Sequence, residues 1–170
     1  MRWLLTLLMV LAAMPLGARA QTAIYAGYSA SDFHEPNVGW KEGPMFGVYY
    51  DHWGVPFVKV GVDARASFIG SGSTVDDSGF IGPRLQLHPH VLPLMPYAEG
   101  LIGAAHAEFG QGLAQRSGTN FAFQWNAGLD MTIFPRLDWR VAEYSWSSVK
   151  GLGVNFRPTT LTTGLVLRLP

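Results

Sequence analysis

The sequence predicts an all-β protein, an eight-stranded antiparallel up-and-down transmembrane β-barrel, on three observations. From Phe57 to Phe68, FVKVGVDARASF, apolar Val58, Val60, Val62, Ala64, Ala66 and Phe68 alternate with Lys59, Gly61, Asp63, Arg65 and Ser67, the period of a two-faced strand. Segments of this kind, roughly ten residues long, recur along the chain, each with one apolar and one polar face. The links between them alternate between long, polar, glycine-rich stretches and short ones carrying proline. Only 14% of residues are charged, against about 25% in an ordinary soluble domain, which suits a chain whose outer surface meets lipid.

Met1 to Ala20 reads as a secretory signal peptide, and residues 21–170 as the barrel domain. Arg2 supplies the positive start, Trp3 to Met14 the apolar stretch, Pro15 and Gly17 the break, and Ala18-Arg19-Ala20 a small-x-small cleavage site before Gln21. The apolar run falls short of the ~20 residues of a spanning helix. Loss of Arg2 and Arg19 leaves 10 basic against 12 acidic residues, a mature net charge of about −2 that argues against a nucleic-acid partner. With no cysteine in the chain, thiol nucleophiles and thiolate metal sites are excluded, and stability must come from the hydrogen-bond ladder, the packing and the bilayer.

The first strand is expected from Ile24 to Ser31, followed by a polar loop from Asp32 to Glu42. The second, Pro44 to His52, sets Phe46, Val48 and Tyr50 against Gly47, Tyr49 and Asp51, and Trp53-Gly54-Val55-Pro56 turns it into the Phe57–Phe68 strand. After a loop from Gly70 to Ser78, the fourth strand runs from Gly79 to His88, where Pro83 cannot donate to a ladder and implies a bulge. Pro89 to Pro93 turns into the fifth strand, Leu94 to Ala107, and Glu108 to Thr119 forms the next loop. The sixth, Asn120 to Ile133, opposes Phe121, Phe123, Trp125, Leu129 and Met131 to Gln124, Asn126, Gly128 and Asp130. Phe134-Pro135-Arg136 is a tight turn. The seventh, Leu137 to Ser148, changes phase near Ala142 and implies a second bulge. A last loop, Val149 to Phe156, precedes the eighth strand, Thr159 to Leu169.

Aromatic residues gather near the ends of these strands, as two girdles at the lipid–water boundaries would require. Trp40, Phe46, Phe68, Phe80, Phe109, Phe121, Trp146 and Phe156 fall toward the long loops, and Trp53, Phe57, Tyr97, Phe134 and Trp139 toward the short turns. The polar faces carry Lys59, Asp63, Arg65, Arg84, Glu99, Asp130, Asp138, Arg140, Glu143 and Arg168. An eight-stranded barrel has an interior just wide enough for side chains, so these ten are expected to fill the lumen as a paired network that plugs it.

Pro96 to His106 (PYAEGLIGAAH), Arg136 to Trp146 (RLDWRVAEYSW) and Thr162 to Leu169 (TTGLVLRL) carry a further signal. Through them the chain resembles the small eight-stranded outer-membrane barrels, the group of the OmpA-like membrane domain and the opacity-type adhesins. The resemblance covers essentially the whole mature chain. It implies a monomer in the outer membrane of a Gram-negative-type bacterium, in contact with outer-membrane lipid, assisted by the barrel-assembly machinery and periplasmic chaperones, with short turns in the periplasm and long loops outside.

Some barrels of this kind hydrolyse lipids, which needs a nucleophile and base within hydrogen-bond reach. His34 lies in a loop with Glu35, and His106 is two residues from Glu108, but there is no H-x-S pairing and no G-x-S-x-G elbow. His88 and His90 straddle Pro89 without further ligands, and Gly70-Ser71-Gly72-Ser73 lacks the Lys-Ser/Thr and helix of a phosphate loop. The expectation is therefore no enzyme, no catalytic or metal residue and no cofactor. Recognition would instead fall to the long loops, with Phe33, His34, Trp40, Lys41, Phe109, Gln111 and Arg116 as candidates. The alternative is a soluble periplasmic or secreted barrel with its faces reversed, Val58 to Val62 inward around an apolar ligand.

Overall fold

The computed structural model describes residues 21–34, 39–55, 57–71, 74–89, 93–109, 116–151 and 154–169. The signal-peptide reading of residues 1–20 lies outside them. The strands are β1 (Gln21–Asp32), β2 (Lys41–Val55), β3 (Val58–Ser71), β4 (Thr74–Leu87), β5 (Leu94–Phe109), β6 (Arg116–Phe134), β7 (Leu137–Gly151), β8 (Val154–Phe156) and β9 (Thr159–Arg168). Each strand from β1 to β7 pairs antiparallel with the next, and β9 pairs with both β7 and β1, which closes an eight-stranded barrel. The short β8 pairs with β7 beyond the barrel wall.

The outside is apolar and the inside polar. Val60, Val62 and Phe68 on β3, Ile81, Leu85 and Leu87 on β4, and Leu161, Leu165 and Leu167 on β9 are exposed large hydrophobic residues, while Asp63, Arg65 and Arg84 are buried. In water this arrangement would leave an unbroken greasy belt; in a bilayer the belt is solvated by lipid and the charges are shielded by the barrel wall. The reversed, soluble reading is therefore overturned, since Val62 is 48% exposed and Asp63 beside it is 0% exposed.

The connections differ from expectation in length. Polar, glycine-rich composition pointed to loops at Gly70 to Ser78, Glu108 to Thr119 and Val149 to Phe156, but strand pairing runs through much of each: Ser71 pairs with Thr74, Phe109 with Arg116, and Gly151 with Val154. Ladder hydrogen bonds need no particular side chain, and a hairpin that rises clear of the bilayer has water on both faces, so its sequence loses the apolar alternation that marks a strand in lipid. At ~3.3 Å per residue the 19 residues of β6 far exceed the 9–11 that cross a membrane. The tight turn at Pro135-Arg136 stands, between Phe134 and Leu137.

Of the two expected bulges one is present. The pairing of β7 with both neighbours shifts between Arg140 and Glu143, restoring Glu143 to the inner face. At Pro83 there is no shift: Val62 pairs with Pro83 in an unbroken β3–β4 ladder, and the β4–β5 pairing resumes in the same register after lapsing at Gly82 and Pro83. The missing N–H is accommodated by a gap in one ladder, with the proline ring outside.

Two glycines make room for tyrosine rings inside the wall. Tyr25 lies opposite Gly47, and Tyr97 opposite Gly128; a Cβ at either glycine would sit 2.3 Å from the Cζ of that ring. Gly128→Ala is expected to lower stability by about 1–3 kcal/mol in urea unfolding followed by gel migration, because Tyr97 is fixed by its own contacts and cannot swing aside. A change below ~0.5 kcal/mol would show that ring to be mobile.

Candidate functional site: the charged lumen

Alternation sends every second residue inward, and the barrel's width brings side chains from distant strands into contact across it. Three arginines and three acids form a closed circuit. Arg65 meets Glu99, Glu99 meets Arg84, Arg84 Nη2 donates to Asp130 Oδ2 at 3.0 Å, and Arg140 Nε donates to Asp130 Oδ1 at 3.1 Å. Arg140 Nη1 then donates to Glu143 Oε2 at 3.1 Å, and Arg65 Nη1 returns to Glu143 Oε1 at 2.5 Å. Asp63 hangs on the circuit through Arg65 Nε at 2.9 Å. All seven side chains are buried.

Tyrosines stack against this circuit. Arg84 lies between the rings of Tyr49 and Tyr97, 4.3 and 3.9 Å from their centroids, and Arg140 lies against Tyr25 at 4.2 Å and Tyr97 at 4.8 Å. Tyr25 Oη donates to both oxygens of Asp63 at 2.8 Å, and Tyr97 Oη to Glu143 Oε2 at 2.5 Å. A guanidinium taken from water is stabilised when its planar edge bonds carboxylates and its faces meet aromatic rings, and these residues supply both. Asn126 adds a donor to Glu99 at 2.9 Å. The circuit thereby crosses the lumen between strands β3, β4, β5, β6 and β7.

The remaining three charges of the polar face lie nearer the short turns. Arg168 Nη2 donates to Asp138 Oδ1 at 2.5 Å and to Thr132 at 3.0 Å, and Lys59 Nζ donates to Gln21 Oε1 at 2.6 Å. Above the circuit the lining changes to small hydroxyls, including the pairs Ser29–Thr162 at 2.8 Å, Ser31–Thr160 at 2.6 Å and Ser67–Ser78 at 2.7 Å. Toward the long connections the interior holds an apolar cluster that includes Phe33, Ile69, Phe80, Leu101 and Val149.

Phe33, expected as a loop recognition residue, is 1% exposed within this cluster: it continues the inward phase of β1 one residue past the strand. Phe80 and Tyr97, expected in the girdles, point into the lumen, because the phase of their strands outweighs the clustering of aromatics at strand ends. Trp40, Phe46, Phe68, Phe121 and Trp146 at one end, and Phe57, Phe134 and Trp139 at the other, are exposed. His34 is exposed, with a left-handed backbone (φ 55°) and its N–H donating to Asp32 Oδ1 at 3.0 Å. Lys41 is half-buried at the start of β2. Gln111, Glu35 and His90, and the side chains of Phe109, Arg116, Glu108, Trp53 and Phe156, lie outside the described residues. His106 Nδ1 is 2.9 Å from Thr119 Oγ1. Tyr25, Tyr49 and Asp51 are interior residues to which the sequence analysis assigns no role; their place on the polar phase is the available signal.

A buried carboxylate lies above the lipid-facing band. Asp76 is buried near the outer end of β4, next to Asp77, whose exposure on the outer face marks that rung as beyond the hydrocarbon. Burial, then the charge of Asp77, pushes the Asp76 carboxyl up to about 7, with His106 acting in the opposite direction. The folded chain therefore holds this proton at pH values where the unfolded chain, with its ordinary value of 3.8, has released it, so stability falls as pH rises from about 4 to about 7. Asp76→Asn is expected to stabilise the barrel by on the order of a few kcal/mol above pH 7, with the gain vanishing toward pH 4, measured by urea unfolding across that range. A gain independent of pH would contradict this.

A family model described as the outer membrane protein β-barrel domain matches residues 3–168. The crystal structure of Ail, the attachment invasion locus protein of Yersinia pestis, superposes with a TM-score of 0.60 at 16% identity, over 89% of this chain and 100% of that one. Neisserial surface protein A gives 0.58 at 15% identity, over 89% and 98%. The outer membrane enzyme PagL gives 0.54 at 14% identity, over 86% and 99%. No curated protein sequence matches the chain. At these identities the superpositions speak to the fold.

Proposed function

The chain belongs to the outer membrane protein β-barrel domain family, and from that premise we propose that it is a non-enzymatic barrel with a structural or surface-interaction role in the outer membrane. It is exported on a signal peptide cleaved after Ala20, stands as a monomer, and is delivered by periplasmic chaperones to the barrel-assembly machinery. Its lumen is plugged, and its contacts with other molecules are made by the long connections on the outer face.

The observation that carries this reading is the closed circuit Arg65–Glu99–Arg84–Asp130–Arg140–Glu143, with Asp63 attached. Charges bonded to one another on both sides of each group, and stacked on tyrosine rings, are committed to holding the wall together rather than to a substrate or a permeating ion. What remains available to a partner lies outside: Trp40 and His34 are exposed above the band, with Lys41 half-buried beside them. The fold alone does not settle catalysis, since PagL shares it.

The test combines fractionation with loop exchange. Expressed with its signal in a Gram-negative host, the protein is expected in outer membranes and to migrate differently on gels before and after boiling. Replacing the segments 34–40, 110–115 and 152–153 by Gly-Ser links, residues 72–73 being Gly-Ser already, is expected to leave folding intact and abolish binding of the bearing cells to host-cell surfaces. Unchanged surface binding by the exchanged protein would remove the interaction role and leave the structural one.

A further inference from the structure

Asp51 lies inside the barrel toward its short-turn end, 3% exposed, and neither of its carboxylate oxygens has a hydrogen-bond partner among the described residues. Asp63, Glu99, Asp130 and Glu143 each have an arginine, and Asp138 has Arg168. Lys59, at the same end, is turned to another acceptor, the side-chain carbonyl of Gln21. A buried carboxylate without a donor is costly, so Asp51 calls for a partner.

The residue opposite Asp51 in the β1–β2 register is Gln21. The Leu169 N–H donates to the Thr22 carbonyl at 2.8 Å, so the peptide groups of Thr22 face β9. Along an antiparallel strand the next residue's groups face the other way, which turns the Gln21 nitrogen toward β2 and Asp51. Gln21 also follows the small-x-small pattern Ala18-Arg19-Ala20. Hydrolysis of the Ala20–Gln21 bond by a signal peptidase consumes one water, leaves a carboxylate on Ala20, and converts a peptide N–H with one proton to give into an ammonium with three and a full charge. Gly61 keeps space for the carboxylate to turn, since a Cβ there would come within 2.4 Å of Asp51 Oδ1.

We propose that Asp51 is the built-in counter-ion of the mature amino terminus, pairing with the Gln21 α-ammonium inside the periplasmic mouth while Lys59 holds the Gln21 side chain. The precursor lacks this pair, so processing completes the polar packing at that end of the lumen. The inference rests on the cleaved-signal reading. The other charges acting on Asp51 are Lys59 and Asp63 on β3, Arg84 on β4 and Glu99 on β5, and Arg168 on β9 is bonded to Asp138 on β7.

The experiment uses the protein exported to outer membranes and purified in detergent, with intact mass checking that the chain starts at an uncyclised Gln21. The α-amine is titrated by the pH dependence of its reductive methylation. An amine paired with Asp51 is expected to lose its proton at least about one pH unit above the ordinary 7.7–8.0, which slows labelling at neutral pH about tenfold. Asp51→Asn is expected to restore ordinary labelling. So is a chain with one alanine inserted before Gln21, which moves the ammonium away and leaves Asp51 in place should the first variant fold poorly. Ordinary labelling of the unaltered protein would overturn the proposal. A chain starting at another residue would overturn the cleavage reading instead, and the same titration on a refolded chain released with Gln21 first would then decide the pairing alone.

Discussion

Arg84→Met is expected to destabilise the folded barrel by about 3–5 kcal/mol, the cost of leaving buried charges without their partner. Arg84 binds Glu99 and Asp130 at once and fills the space between Tyr49 and Tyr97. Without it, four acids share two arginines, since Asp63, Glu99, Asp130 and Glu143 retain only Arg65 and Arg140. Methionine keeps much of the volume, so the loss reports charge and hydrogen bonding more than a cavity. Arg84→Met combined with Glu99→Gln is expected to be less costly than the sum of the two single changes, because the second removes a charge the first has stranded. Urea unfolding in detergent or lipid, read by gel migration, gives both numbers. A single variant within ~1 kcal/mol of the unaltered protein, or strict additivity, would show that the circuit does not bear on stability.

Val62→Arg is expected to cost about 2–4 kcal/mol when the protein folds into lipid vesicles, the penalty for a cation on the lipid face near mid-membrane. Val62 is exposed on the outer wall, next in sequence to the buried Asp63, so the substitution tests which side of the wall faces hydrocarbon. The same change at Gly70, an exposed outer-face position eight residues nearer the outer end of β3, is expected to cost only about 0–1 kcal/mol, because the side chain there reaches water. Equal costs at the two positions would contradict the placement of the apolar belt in the bilayer.

How far the sequence could be read follows from what alternation encodes. The Val58–Phe68 pattern states which side chains share a face, and the surrounding composition states which face meets lipid; that suffices for the strands, the closure count and the bulge before Glu143. Alternation is silent on who meets whom across the lumen. Arg65 and Glu143 are 78 residues apart, and their contact depends on barrel width and stagger, which no local stretch contains. The tyrosines were hidden for a related reason. Tyr97 sits near a strand end, where an aromatic residue suits a girdle, and only its phase with Glu99 places it inside. The overlong hairpins have the sequence character of loops because above the bilayer neither face is apolar, so the periodic signal disappears while the backbone pairing continues. Phe33 is hidden for the same reason, as a residue past the last periodic position that nonetheless turns inward.

The measurement that bears most directly on the plugged barrel is conductance. The purified protein, folded into a planar lipid bilayer, is expected to give no stable, reproducible single-channel steps, because the Arg65–Glu99–Arg84–Asp130–Arg140–Glu143 circuit and its tyrosines fill the lumen. Stable steps of uniform size would contradict this and make the interior a pathway.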